Sequence, residues 1–80
     1  MTAGAGTGTA GRLDLRGLEP PEPMRLALDA VERLEKGETV EIVTDREPAL
    51  LHRELERRGH GFATRNVDGD CLTVIRRGLT

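Results

Sequence analysis

Tryptophan, tyrosine and serine are absent from this 80-residue chain, and phenylalanine and cysteine occur once each, at Phe62 and Cys71. Each scarcity excludes something. With Phe62 the one residue of the Phe, Tyr and Trp class, there is no stacking platform for single-stranded nucleic acid. With 12 basic against 14 acidic residues there is no basic field to hold a phosphate backbone. Nucleic acid is therefore not an expected partner. A lone cysteine excludes an internal disulfide and points to a reducing compartment, with the cytoplasm as the default. No Cys-His or Asp-His pairing at a helix start takes the place of the missing serine, so no nucleophile system is legible and hydrolytic or transferase chemistry is not expected. No apolar run approaches the roughly 18 residues of a membrane span, and no basic-then-apolar leader opens the sequence. Eleven of the 12 basic residues are Arg, with Lys36 the exception.

What is present is a small soluble domain. Hydrophobic residues make up 36% of the chain, so the core must be assembled from Leu, Val, Ile, Ala and Met. A chain this short buries only roughly 60% of its unfolded surface, which leaves that core thin. Residues 1–11, MTAGAGTGTAG, carry no charge and no periodicity and read as a flexible tail, with a single domain over 12–78. Gly6 to Gly11 spell G-x-G-x-x-G, but a dinucleotide site needs a strand before and a helix after. An extended run follows instead, so no cofactor is expected.

Residues 12–16, RLDLR, alternate as a half-buried strand, with Leu13 and Leu15 on one side. From Met24 to Lys36, apolar residues Met24, Ala27, Leu28, Val31 and Leu34 recur at helical spacing, and Gly37 follows as a stop. Asp29–Arg33 and Glu32–Lys36 are i,i+4 pairs in the favourable order. Residues 39–45 alternate again. A second helix is expected over Glu47 to Arg58, burying Leu51 and Leu55 and ending at Gly59. FATRNV and CLTVIRR flank Asp68-Gly69, which favours a type I′ hairpin.

The order β-α-β-α-β-β predicts an α/β two-layer sandwich: a four-stranded mixed sheet with two helices on one face. Its first two strands should be parallel, joined by a right-handed crossover. The loops Gly17–Pro20 and Asp45–Arg46 then leave neighbouring strand ends and feed helix starts, where ligands commonly bind in such sheets. Arg16, Glu19, Pro20, Glu22, Asp45 and Arg46 are the candidate binding residues. Two arginines and two helix starts suit a small anion or a partner's carboxylates. The alternative is that Arg16 and Arg46 pair with the nearby acids and that Glu22 merely suits the helix dipole.

Cys71 is a possible thiol site, but it begins a strand rather than a helix, beside Asp68 and Asp70, which do not favour a thiolate. His52, His60 and Cys71 are scattered without metal-ligand spacing, so no metal site is expected.

The strand followed by Gly17-Leu18, Pro21-Glu22-Pro23, an amphipathic helix, and Gly37-Glu38-Thr39 through Asp45 resembles the TusA/SirA sulfur-carrier family over Leu13 to about Arg77. The resemblance implies the same two-layer sandwich. In that family a cysteine immediately precedes Pro-Glu-Pro and holds sulfur as a persulfide; here that position is Pro20. The sequence is closer to an uncharacterised branch marked by L-E-P-P-E-P and by Asp45-Arg46-Glu47-Pro48. Proline has no nucleophilic atom and no N–H, so Pro20 cannot carry sulfur, donate a hydrogen bond or ligate a metal; what it can do is fix backbone shape. Two functions follow as expectations. One is a non-catalytic binding or adaptor domain that meets a protein partner or a small anion at the proline-rich edge. The other is a sulfur-relay component that uses Cys71 or a partner's cysteine. A monomer is expected, although an exposed edge strand could pair two copies.

Overall fold

The computed structural model describes residues 9–78, with side chains from residue 11 onward. Six elements follow one another: β1 (Thr9–Asp14), α1 (Glu22–Glu32), β2 (Thr39–Thr44), α2 (Ala49–Arg57), β3 (Gly61–Val67) and β4 (Asp70–Arg76). The strands form one sheet in the order β1-β2-β4-β3. β1 and β2 are parallel, whereas β4 runs antiparallel to both β2 and β3. The sheet is therefore mixed, as expected, and both helices cover the same face.

Strand alternation sorts the residues. β2 alternates half-buried and buried positions, sending Val40, Ile42 and Thr44 to the helices. Their partners across the ladder, Ile75, Thr73 and Cys71, face the same way. Ala27 and Val31 of α1 and Leu51 and Leu55 of α2 close on this layer, with Leu15 and Leu34 completing it. One side of each helix is thus buried and the other is charged, so the period of 3.6 in the sequence meets the period of 2 along one interface.

Helix bounds differ from the sequence expectation for local reasons. α1 begins at Glu22, with Glu22 and Pro23 in its first turn as expected, where proline's missing N–H costs nothing. It ends at Glu32 instead of Lys36. There the Arg77 guanidinium donates to the carbonyls of Glu32 and Leu34 at 2.8 and 2.6 Å, closing the helix from the residue that follows β4. Glu32 and Lys36 are consequently not paired; Glu32 instead meets Arg58 of α2 at 3.2 Å. The Asp29–Arg33 pair is present at 3.1 Å. α2 starts at Ala49 because the residue before a proline, here Glu47, is pushed out of helical geometry. Its far end is a Schellman closure: the Gly59 N–H bonds to the Glu56 carbonyl and the His60 N–H to that of Leu55. Gly59 has φ +82, a value that favours glycine.

β1 is placed at Thr9–Asp14 rather than 12–16, with a break in register between Thr9 and Arg12. Leu15 still donates to the Val43 carbonyl at 2.8 Å and stays buried, so the inward pair Leu13 and Leu15 is as expected. Half of the G-x-G-x-x-G stretch, and residues 1–8 of the expected tail, lie outside the described residues; residues 9–11 of both belong to β1. The β3–β4 hairpin turns on Asp68 and Gly69, with φ +53 and +88. Positive φ at both central positions is the type I′ geometry that Asp-Gly favours.

A candidate docking cleft at the proline-rich helix start

The C-terminal ends of β1 and β2 lie side by side, so the loops that follow them meet. Asp45 fixes the meeting: its carboxylate accepts the Gly17 N–H at 2.7 Å. The Thr44 hydroxyl, buried at the end of β2, donates to the Arg46 carbonyl at 2.7 Å and curls the second loop toward the start of α2. Between the two helix starts opens a cleft of about 440 Å³, walled by Pro20, Pro23, Met24, Pro48, Leu50 and Leu51. It adjoins a second lobe lined by Leu18, Glu19, Asp45, Arg46 and Glu47. Four prolines sit around the cleft, because Pro21 completes the set. Prolines present rigid apolar surface with no N–H to satisfy, so the walls hold their shape without internal hydrogen bonds.

Among the described residues, the exposed large apolar side chains gather at this end of the molecule. Leu50, in the first turn of α2, is 68% exposed, and Leu18, in the loop after β1, is 41% exposed. Val67, beside the hairpin at the same end of the sheet, is 40% exposed. A helix can bury only one of two adjacent leucines, so Leu50-Leu51 leaves one outward. That was the available signal for Leu50, whereas Met24 and Pro48 join the cleft only through tertiary packing.

Of the sequence-derived candidates, Glu19, Pro20, Asp45 and Arg46 come together at this cleft. Arg16 and Glu22 do not line it. Arg16 turns to the helix-free face, where it donates to Asp14 at 2.8 and 2.7 Å and to Asp70 at 2.9 Å. Hydrogen bonding from Arg16 lowers the Asp14 carboxyl to about 2. The same bonds, Asp14 first and then Asp70, hold the Arg16 guanidinium firmly in its charged form. This pair of ion pairs clasps the end of β1 to the start of β4. Glu22 pairs with Arg25 one turn along α1, at 2.6 Å. Arg46 differs from both: its guanidinium has no partner among the described residues.

Cys71 is 8% exposed, inside β4 and flanked by Thr44 and Asn66 across the ladder. His52 stacks on Phe62, with ring centroids 4.5 Å apart, and shares a hydrogen bond with Thr64 at 2.8 Å. Thr64 in turn bonds the buried Thr73 hydroxyl at 2.7 Å, so this chain satisfies a polar group in the core. His60 accepts the Gly78 N–H at 2.9 Å. Among the described residues no group of three or more His, Cys, Asp or Glu is arranged to hold a metal ion. No helix among them is long and apolar enough to cross a membrane.

A parallel strand pair bridged by one helix, a second helix and an antiparallel hairpin form the two-layer sandwich of the TusA/SirA-like sulfur-carrier superfamily, to which matches in sequence and structure assign this chain. Within it the chain belongs to the family described as "Uncharacterized conserved protein (DUF2249)", whose model matches residues 12–75. The chain is 33% identical over 63 residues to "Putative sulfur carrier protein YedF" of Escherichia coli K12, covering 79% of this chain and 82% of that one. The protein of the same name from Salmonella typhimurium matches equally. The crystal structure of the SirA-like protein from Desulfitobacterium hafniense superposes with a TM-score of 0.76 at 25% identity. It covers 85% of this chain and 97% of that one. Both the fold and the superfamily expected from the sequence are thus present.

Proposed function

We propose that this domain is a non-catalytic docking module of the sulfur-carrier superfamily, a cytoplasmic monomer that engages a protein partner through its proline-lined cleft. One observation carries the reading: Pro20, at the position the superfamily gives to its sulfur-bearing cysteine, lines the cleft with no atom that can hold sulfur. The shape of the helix start remains while its nucleophile is gone. Family membership supports protein partners, since a sulfur carrier works by meeting donor and acceptor proteins.

A protein suits the cleft better than a small anion. Anions bind helix starts through free backbone N–H groups. Here Pro21 and Pro23 have none, and the Glu22 N–H is taken by the Glu19 carbonyl at 2.9 Å. The Ala49 N–H at the start of α2 is likewise bonded to the Glu47 carbonyl at 3.0 Å. Apolar walls beside exposed Leu18 and Leu50 suit another protein's side chains instead.

The relay alternative requires Cys71 to carry sulfur. Incubating the protein with a cysteine desulfurase and free cysteine, then weighing it, separates the two. The docking reading expects no added mass; a persulfide of about 32 Da on Cys71 would establish the relay. A photocrosslinker at Leu50 should capture a defined partner that one at Arg33, on the opposite end, does not. Equal capture from both positions would remove the cleft from the proposal.

A further inference from the structure

The walls of the cleft are apolar, but its rim is charged. Glu19, Asp45 and Glu47 line it against Arg46 alone, three carboxylates to one guanidinium. The two helix starts add partial positive charge, roughly half a unit each. That offsets about one of the two excess negative charges and leaves the rim acidic. Asp45 is engaged by the Gly17 N–H, yet this bond leaves its charge in place. The carboxylates of Glu19 and Glu47 have no partner among the described residues.

From this we infer that the occupant of the cleft is a segment of a partner protein in which an aliphatic side chain is flanked by Lys or Arg. The aliphatic group seats against Met24, Pro48 and Leu51, and the flanking cations face Glu19 and Glu47. Arg46 then has a backbone carbonyl of the segment to bond, which fixes its direction. Rim pairs of this kind steer association and select partners rather than supply most of the affinity. The inference rests on the docking reading above and adds to it the charge of the partner.

The test uses the full chain, labelled with ¹⁵N, and three short peptides that share a central leucine pair and differ in having Lys, Gln or Glu flanks. The amides of Leu18, Met24, Leu50 and Leu51 report binding. At low salt the Lys-flanked peptide is expected to bind at least about tenfold tighter than the Glu-flanked one. The difference should collapse near 0.5 M salt, where charges are screened within a few ångströms. In a Glu19→Lys/Glu47→Lys variant the order should reverse. Both positions are surface residues, and the variant's own amide spectrum reports its fold. If the Gln- or Glu-flanked peptide binds the cleft as tightly as the Lys-flanked one, the charge inference is overturned and the docking face stands. If no peptide moves the cleft amides, the docking face falls with it.

Discussion

Placing a thiol at residue 20 tests whether the proline there is what keeps this helix start from carrying sulfur. Pro20→Cys places a sulfur at an exposed position on the lip of the cleft. A thiol with an ordinary pKa near 8.5 is about 3% thiolate at pH 7; lowering that pKa by one unit at a helix start gives about 24%. More than one unit is not expected, because Pro21 and Pro23 remove two of the N–H donors this helix start would otherwise offer. Cys71 is different in access. At 8% exposure it meets a reagent only when β4 opens locally. An opening cost of about 2–3 kcal/mol slows it by roughly 30- to 150-fold. Combined with the thiolate gain, the new thiol should react with a chromogenic disulfide on the order of 10² to 10³ times faster than Cys71. Stopped-flow kinetics on Pro20→Cys, with Cys71→Ala to assign the phases, measures the ratio. The same variant should gain the persulfide mass that wild type does not. Wild-type Cys71 reacting as fast as the new thiol would refute the reasoning, because burial would then not be what silences it.

Other outcomes follow from specific contacts. Arg77→Met removes two charge-assisted hydrogen bonds from the end of α1. It should cost about 1–2 kcal/mol, read as a fall in urea midpoint at unchanged slope. Leu55→Ala empties a fully buried site under both helices and should cost about 2–5 kcal/mol, enough to unfold much of so small a domain; circular dichroism measures it. Gly59→Ala forces a left-handed backbone on a residue with a side chain and should lower stability by about 1 kcal/mol in the same assay. Asp14 and Glu54 are both lowered to about 2, the former by hydrogen bonds from Arg16, the latter by those from Arg57 and then Arg58. A depressed carboxylate stabilises fully above its unfolded pKa near 4 and loses that contribution as pH falls toward 2. The ion-pair clasp should therefore be insensitive from pH 5 upward and weaken only below about 4; carboxyl ¹³C titration with midpoints near 4 would contradict it.

The residue pattern alone determined the elements, the mixed sheet, the burial of Leu51 and Leu55 and the type I′ turn. Each is set by local chemistry: the period of apolar positions, the missing N–H of proline, the backbone freedom of Asp-Gly. It also determined that residue 20 holds no sulfur, since a side chain either has the atom or lacks it. Tertiary structure decided the rest. Only chain packing brings Arg77, just past the last strand, to the end of the first helix and sends Glu32 to Arg58 instead of Lys36. Arg16 and Arg46 stand alike in sequence, each two residues past the end of a strand and within two residues of an acid. Strand alternation and the meeting of two loops send one to an ion-pair clasp on the open face and leave the other unpartnered on the cleft. Which neighbour a charge finds depends on distances across the fold, and those are settled only once the apolar core has fixed where every strand ends.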